Sequence, residues 1–189
     1  MIATRPRIAA AGIAASALLL GACSSNDTPE SDGPTTSAST PDAAAREQVT
    51  ALVNTYFQDL SRVQTNPVGN SALIDQVAAE PHASEIRNLT QKLSNAQYRA
   101  SGQLDVDHLT IDSVTLPAAG ESGATAKVDA CYNPGGVVYT RPDGSNSPAL
   151  EGRLDLANAR LTLVNTSYPD PAGWRVSGFD GDGTRPCVG

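Results

Sequence analysis

Ala124-Thr125-Ala126-Lys127-Val128-Asp129-Ala130-Cys131-Tyr132 alternates without a break. Ala124, Ala126, Val128, Ala130 and Tyr132 fall on one face, and Thr125, Lys127, Asp129 and Cys131 on the other. Strand side chains change face at every residue, so this period of two predicts a strand with one buried and one open face. The buried set is small, which leaves room against the sheet for a helix or for a ligand. Ahead of it, Leu109 and Ile111 alternate, and Val114 and Leu116 continue in the opposite phase. A phase change inside a strand predicts a bulge, here near Asp112-Ser113. Behind it, Asn133-Pro134-Gly135-Gly136 turns the chain into a short strand, Val137–Thr140, and 141–147 reads as a polar turn region. Residues 153–168 predict a long strand carrying Leu154, Leu156, Leu161, Leu163 and Val164, again shifting phase midway. Pro169-Asp170-Pro171-Ala172-Gly173 reads as a hairpin loop, and Trp174-Arg175-Val176-Ser177-Gly178-Phe179 as the last strand.

Upstream the period is helical. Asp42, after Pro41, predicts an N-cap. Val49, Leu52, Val53, Tyr56, Phe57 and Leu60 follow at i, i+3, i+4, i+7, i+8 and i+11, a single apolar stripe. Arg46, Glu47, Gln48, Asn54, Gln58 and Asp59 occupy the rest of that helix, and Asn66-Pro67-Val68-Gly69-Asn70 ends it. A short second helix carries Leu73, Ile74 and Val77 and stops before Pro81, because the residue ahead of a proline is pushed away from helical angles. A third helix, 83–100, puts Ile86, Leu89, Leu93, Ala96 and Ala100 on one face and ends at Ser101-Gly102. Helices followed by a meander of antiparallel strands give an α+β order. A curved, mostly antiparallel sheet packed against three N-terminal helices buries both apolar faces.

At the N-terminus, Arg5 and Arg7 precede an apolar run at 8–20 built mostly from Ala, Ile and Leu. A basic start, a short apolar stretch and small residues at a cut site predict an export signal. The run of about thirteen residues is short of the roughly 20 that a spanning helix needs. Leu20-Gly21-Ala22-Cys23 then looks like a bacterial lipobox, at which a diacylglycerol is joined to the Cys23 sulfur and cleavage leaves Cys23 first. The predicted layout is therefore a lipoprotein signal peptide at 1–22, a lipidated Cys23 with a disordered Ser/Thr/Pro tether to 41, and one domain at 42–189. Residues 24–41 hold one Ala and no larger aliphatic or aromatic side chain, too little to offset their ordering entropy.

Charge and cysteines narrow the function further. The chain has 13 Lys and Arg against 20 Asp and Glu, a net −7; without Arg5 and Arg7 it keeps 11 against 20, a formal −9. Phosphate neutralisation needs clustered cations, so nucleic acid is not an expected partner. The same acidity argues against attraction to anionic lipid, and attachment to the membrane falls to the acyl chains on Cys23. Cys131 and Cys187 remain as an even pair outside the membrane, where thiols oxidise, and predict a disulfide. It closes a loop of about 57 residues, for which chain entropy gives roughly 4 kcal/mol. No Cys-x-x-Cys spacing supports redox work, and no paired His supports a metal.

The "ALVNTYFQDL" helix with the "ATAKVDACYN", "RLTLVNTSY" and "GWRVSGF" strands resembles the SnoaL-like, or nuclear-transport-factor-like (cystatin-like), cone. More narrowly, the chain is similar to uncharacterised actinobacterial lipoproteins with that domain. The likeness rests on the lipobox, the tether, Val128 with Cys131, Gly173-Trp174-Arg175-Val176 and Cys187 near the C-terminus. The resemblance implies a fold and an address. The superfamily includes isomerases, cyclases, dehydratases, ligand binders and assembly domains, so it implies no single activity.

Asp105, Asp107 and His108 are the densest cluster of catalytic residue types, since a carboxylate beside an imidazole can orient it as a base. Neighbours on a strand point to opposite faces, so Asp107 and His108 share a site only if a bulge intervenes. His82, after Pro81, reads as a polar surface residue at a helix start. Asp180-Gly181-Asp182-Gly183 holds half of a calcium loop without the later Glu, and reads as an acidic turn. Tyr56, Phe57, Trp174 and Phe179 are candidates to line a hydrophobic pocket or simply to fill the core. No metal or cofactor is expected. The reading is a membrane-anchored extracytoplasmic lipoprotein, non-enzymatic, binding a small apolar ligand or an envelope protein. The alternatives are a cone-type isomerase or lyase using an Asp/His pair, and a dimerising scaffold.

Overall fold

Thr40, not Asp42, caps the first helix. Pro41 fits the first helical position because its fixed φ suits the helix and its missing N–H is not needed there. The cap therefore falls on the residue before Pro41, two earlier than expected, with Thr40 Oγ1 accepting from the Ala43 N–H at 3.3 Å. Asp42 sits in the first turn and pairs with Arg46 at 2.8 Å. The structure, a computed structural model, describes residues 40–147 and 152–187. The export signal, Cys23 and the tether up to residue 39 lie outside the described residues.

Helix α1 spans Pro41–Thr65, α2 Leu73–Val77 and α3 His82–Asn95. The strands are β1 Arg99–Gly102, β2 Val106–Thr115, β3 Ala124–Tyr132, β4 Val137–Thr140, β5 Ala157–Asn165 and β6 Trp174–Asp180. Four of them form an antiparallel sheet in the order β2-β3-β5-β6, and β1 pairs with β4 in a separate two-stranded ribbon. The fold is α+β, with helices packed on an antiparallel sheet.

The alternation of β3 holds at every inward position, each of which is buried. Its small side chains answer the question of room. Ala45, Val49 and Val53 of α1 and Ala124, Ala126, Val128 and Ala130 of β3 belong to one core, so the helix fills much of that space. The bulge near Asp112-Ser113 is present as a register shift between Ile111 and Ser113, and a second shift lies between Val106 and His108. The disulfide joins Cys131 of β3 to Cys187, with the Cα atoms 5.5 Å apart.

Four expectations fail for physical reasons. Asp59, assigned to the polar face of α1, is buried and bound to Arg62 Nη1 at 3.0 Å. The third helix stops at Asn95, because Gln97 takes a left-handed φ of 58° and Tyr98 N–H closes onto Leu93 O. Ala100 then sits in β1 opposite Tyr139, and Leu89 stays 48% exposed. Leu154 and Leu156 are exposed and precede the strand, which begins only at Ala157. There the chain is held by Leu154 N–H to Gly183 O instead of by a ladder.

Candidate functional site

Two neighbouring aromatics on α1, Tyr56 and Phe57, face the end of the sheet, where Tyr132 closes β3 and Phe179 projects from β6. Phe57 and Tyr132 lie 5.0 Å apart, Tyr56 and Phe57 meet edge to face at 5.3 Å, and Tyr132 and Phe179 at 6.1 Å. These rings, with Ile86 and His82 of α3, wall a cavity of about 220 Å³. Gln64, Leu89, Arg153 and Asp182 also line it.

A chain of hydrogen bonds crosses this wall. His82 is only 6% exposed, stacks on Phe179 at 5.9 Å, and holds Tyr56 Oη at 2.9 Å through Nε2. Its Nδ1 lies 2.9 Å from Glu85 Oε2. An ionised carboxylate only accepts, so Nδ1 donates to Glu85, and in the neutral imidazole Nε2 then accepts from the Tyr56 hydroxyl. His82 and Glu85 are three residues apart on α3, which puts them on one helix face.

A second polar group sits on the same wall. Arg153 Nη1 donates to Pro134 O at 3.1 Å, and its stem packs against Gly183. Gly183 has a φ of +83°, and a Cβ there would stand 3.1 Å from Arg153 Cγ, so both backbone and space ask for glycine. Tyr132 and Tyr139 are buried beside this cation. Gln64 Oε1 is a buried acceptor without a partner among the described residues.

Burial pushes the three cavity phenols up. Tyr56 rises far above the ordinary range, with Tyr132 and Glu85 acting in the same direction. Tyr139 is pushed up to about 12 despite Arg153, and burial likewise raises Tyr132. The folded state thus favours the neutral phenols. Their contribution to stability is complete below the free value of about 10 and is lost as pH rises through the folded values. Titration followed at the phenolate absorbance should show Tyr56, Tyr132 and Tyr139 silent until the domain unfolds in alkali. Normal titration of all tyrosines in the folded protein would contradict this burial.

Of the residues singled out in the sequence, Tyr56, Phe57 and Phe179 come together at the cavity. Trp174 does not: it is buried elsewhere, its Nε1 donating to Gln48 Oε1 at 2.9 Å beside an outer groove. Asp105, Asp107 and His108 do not line the cavity either. The bulge at Val106/His108 does let Asp107 and His108 pair, at 2.8 Å, but both side chains are about half exposed. Asp105 accepts from Gln103 at 3.0 Å. Asp107, His108 and Cys131 bring a carboxylate, an imidazole and a sulfur within 4.8 Å of one another. The sulfur belongs to the disulfide, so this trio offers a metal no thiolate. Asp182 accepts from the Thr184 N–H and hydroxyl, and Asp180 pairs with Arg185, which makes the acidic turn self-contained. Sequence reasoning missed His82, Glu85, Tyr132, Tyr139 and Arg153. The His82-x-x-Glu85 spacing was the one local signal that could have drawn attention to the first two.

Among the described residues no helix is long and apolar enough to cross a membrane. No family model and no curated protein matches the chain. Among solved structures, it is similar to the intermembrane space region of the chloroplast protein ARC6, with a TM-score of 0.50 and 12% identity over 71% of this chain and 94% of that one. It also aligns with CagV, a VirB8 homolog of T4SS from Helicobacter pylori strain 26695, at a TM-score of 0.36 and 8% identity over 69% and 96%. The first likeness concerns the fold alone, and the second is too distant to carry an argument.

Proposed function

We propose that this chain is an extracytoplasmic lipoprotein, anchored through diacylglyceryl Cys23, whose SnoaL-like cone binds a small, mainly apolar ligand. The observation that carries the reading is the 220 Å³ cavity walled by Tyr56, Phe57, Tyr132 and Phe179. Apolar concave sites with a few placed polar groups are where small molecules bind. The Cys131–Cys187 disulfide supports an oxidising compartment. The scaffold alternative receives less support. The outward positions Thr125, Lys127, Asp129, Arg160 and Thr162 make that sheet face polar, with Asp129 bound to Arg160 at 3.3 Å.

One observation favours a second reading, a cone-type isomerase or lyase: the wall carries a buried imidazole bound to a tyrosine. In that case His82 and Tyr56 replace Asp105, Asp107 and His108 as the acid–base group. Native mass spectrometry of the full chain, purified gently from its own host, tests the first reading. A reproducible extra mass of a few hundred daltons, absent after denaturation, is the expected result; a clean apo mass would count against a resident ligand. A Cys23→Ala chain is expected to lose its partition into detergent, and retention of that partition would sink the lipid anchor.

A further inference from the structure

The cavity wall holds hydrogen-bond donors that the fold leaves open. Tyr132 and Tyr139 are 5% and 8% exposed, yet among the described residues neither hydroxyl has a hydrogen-bond partner. Arg153 is half-buried beside them. Among the described residues its guanidinium bonds only Pro134 O and has no carboxylate within 4.0 Å. Neither hydroxyl oxygen is fully buried, so each is an unused donor with open surface, and a half-buried cation without an anion beside it is costly. Two carboxylates do reach this wall, but each is engaged in its own segment. Glu85 takes the His82 Nδ1–H, and Asp182 takes the Thr184 N–H and hydroxyl.

We propose that the cavity binds a small monocarboxylic acid, its carboxylate held by Arg153, Tyr132 and Tyr139 and its apolar body among Tyr56, Phe57 and Phe179. This rests on the ligand-binding reading and names the class of ligand. A guanidinium fork matches the two oxygens of a carboxylate, and charge-assisted bonds of this kind are about twice as strong as neutral ones. An engineered 150 Å³ cavity accepts benzene, so 220 Å³ suits a body of roughly nine or ten heavy atoms. A single negative charge suits the site better than a phosphate dianion, which would face Glu85 and Asp182 as well.

The test is calorimetric titration of the full chain in lipid nanodiscs, blanked against empty nanodiscs, with 3-phenylpropanoate and its neutral amide. These probes match in shape and differ in charge. The acid is expected to bind at least about tenfold tighter than the amide. Arg153→Met should bring the acid down to the amide's affinity without changing the amide's, and Arg153→Lys should fall between. Circular dichroism of each variant checks that it is folded. Equal affinity for the two probes overturns the carboxylate proposal while leaving the cavity a binder of neutral apolar molecules. A preference for the acid that survives Arg153→Met overturns the placement at Arg153. Failure of both probes to bind at millimolar concentration overturns the proposal and the ligand-binding reading together.

Discussion

Replacing Cys131 and Cys187 together with Ser should lower the melting temperature of the oxidised protein by roughly 8–16 °C. The two cysteines are 56 positions apart, and closing a loop of that length removes about 4 kcal/mol of chain entropy from the unfolded state. In a domain of this size each kcal/mol moves the melting temperature by about 2–4 °C. The total stability of such a domain is only about 5–15 kcal/mol, so the link supplies a large share of it. Native contacts beside the bridge should keep the reduced form folded at room temperature. Asn158 N–H bonds Arg185 O at 2.8 Å, and Ala157 pairs with Pro186. The double substitution avoids leaving one reactive thiol. Scanning calorimetry of the wild type with and without reductant should reproduce the difference. A melting temperature unchanged by either route would show that the terminal segment is held by those contacts alone.

The same segment reaches the cavity, since Gly181 and Asp182 line it and Gly183 seats the Arg153 stem. Loss of the bridge should therefore loosen this side of the cavity wall before it unfolds the sheet.

What was legible in the sequence was what depends on local period. The β3 alternation, the bulge before Ser113, the α1 stripe and the closing strand at Trp174 are each set by which neighbours are apolar, and a chain states that directly. The disulfide was legible for a different reason, because with Cys23 expected to carry the lipid, Cys131 and Cys187 have only each other. What escaped depends on distant partners. Arg99-Ala100-Ser101-Gly102 has no strand pattern of its own and becomes β1 because β4 lies alongside it. Leu154 and Leu156 look like strand residues, yet the backbone there is bonded to Gly183 rather than to a ladder partner. Half of the cavity was visible as aromatic positions. Its polar half was not, because Arg153, Tyr132 and Tyr139 come from separate elements, with no shared spacing to betray them. His82 was read as a surface residue, since nothing in the sequence around Pro81 places Phe179 over its ring.

That buried histidine gives the second large effect: His82→Ala should cost about 2–4 kcal/mol of folding stability. Part of the loss is packing, since the ring stacked on Phe179 disappears beside an existing cavity and the void grows. The rest is electrostatic. Tyr56 is 1% exposed, and without His82 Nε2 its hydroxyl is left buried and unpaired, a penalty of about 1–3 kcal/mol. Tyr56→Phe alone strands the imidazole nitrogen in the same way. Both single changes therefore include the cost of an orphaned partner, and the double variant contains no orphan. Denaturant unfolding at constant slope should find the double variant less destabilised than the sum of the singles by about 1 kcal/mol or more. Additive losses would mean that the 2.9 Å contact contributes nothing and that His82 is there only to fill space. A clear coupling would mean that the protein maintains a directed hydrogen bond on the cavity wall, running from the exposed Glu85 through the imidazole to a phenol oxygen. Tyr56 would then present its remaining lone pairs to whatever occupies the cavity, with its own proton already committed to His82.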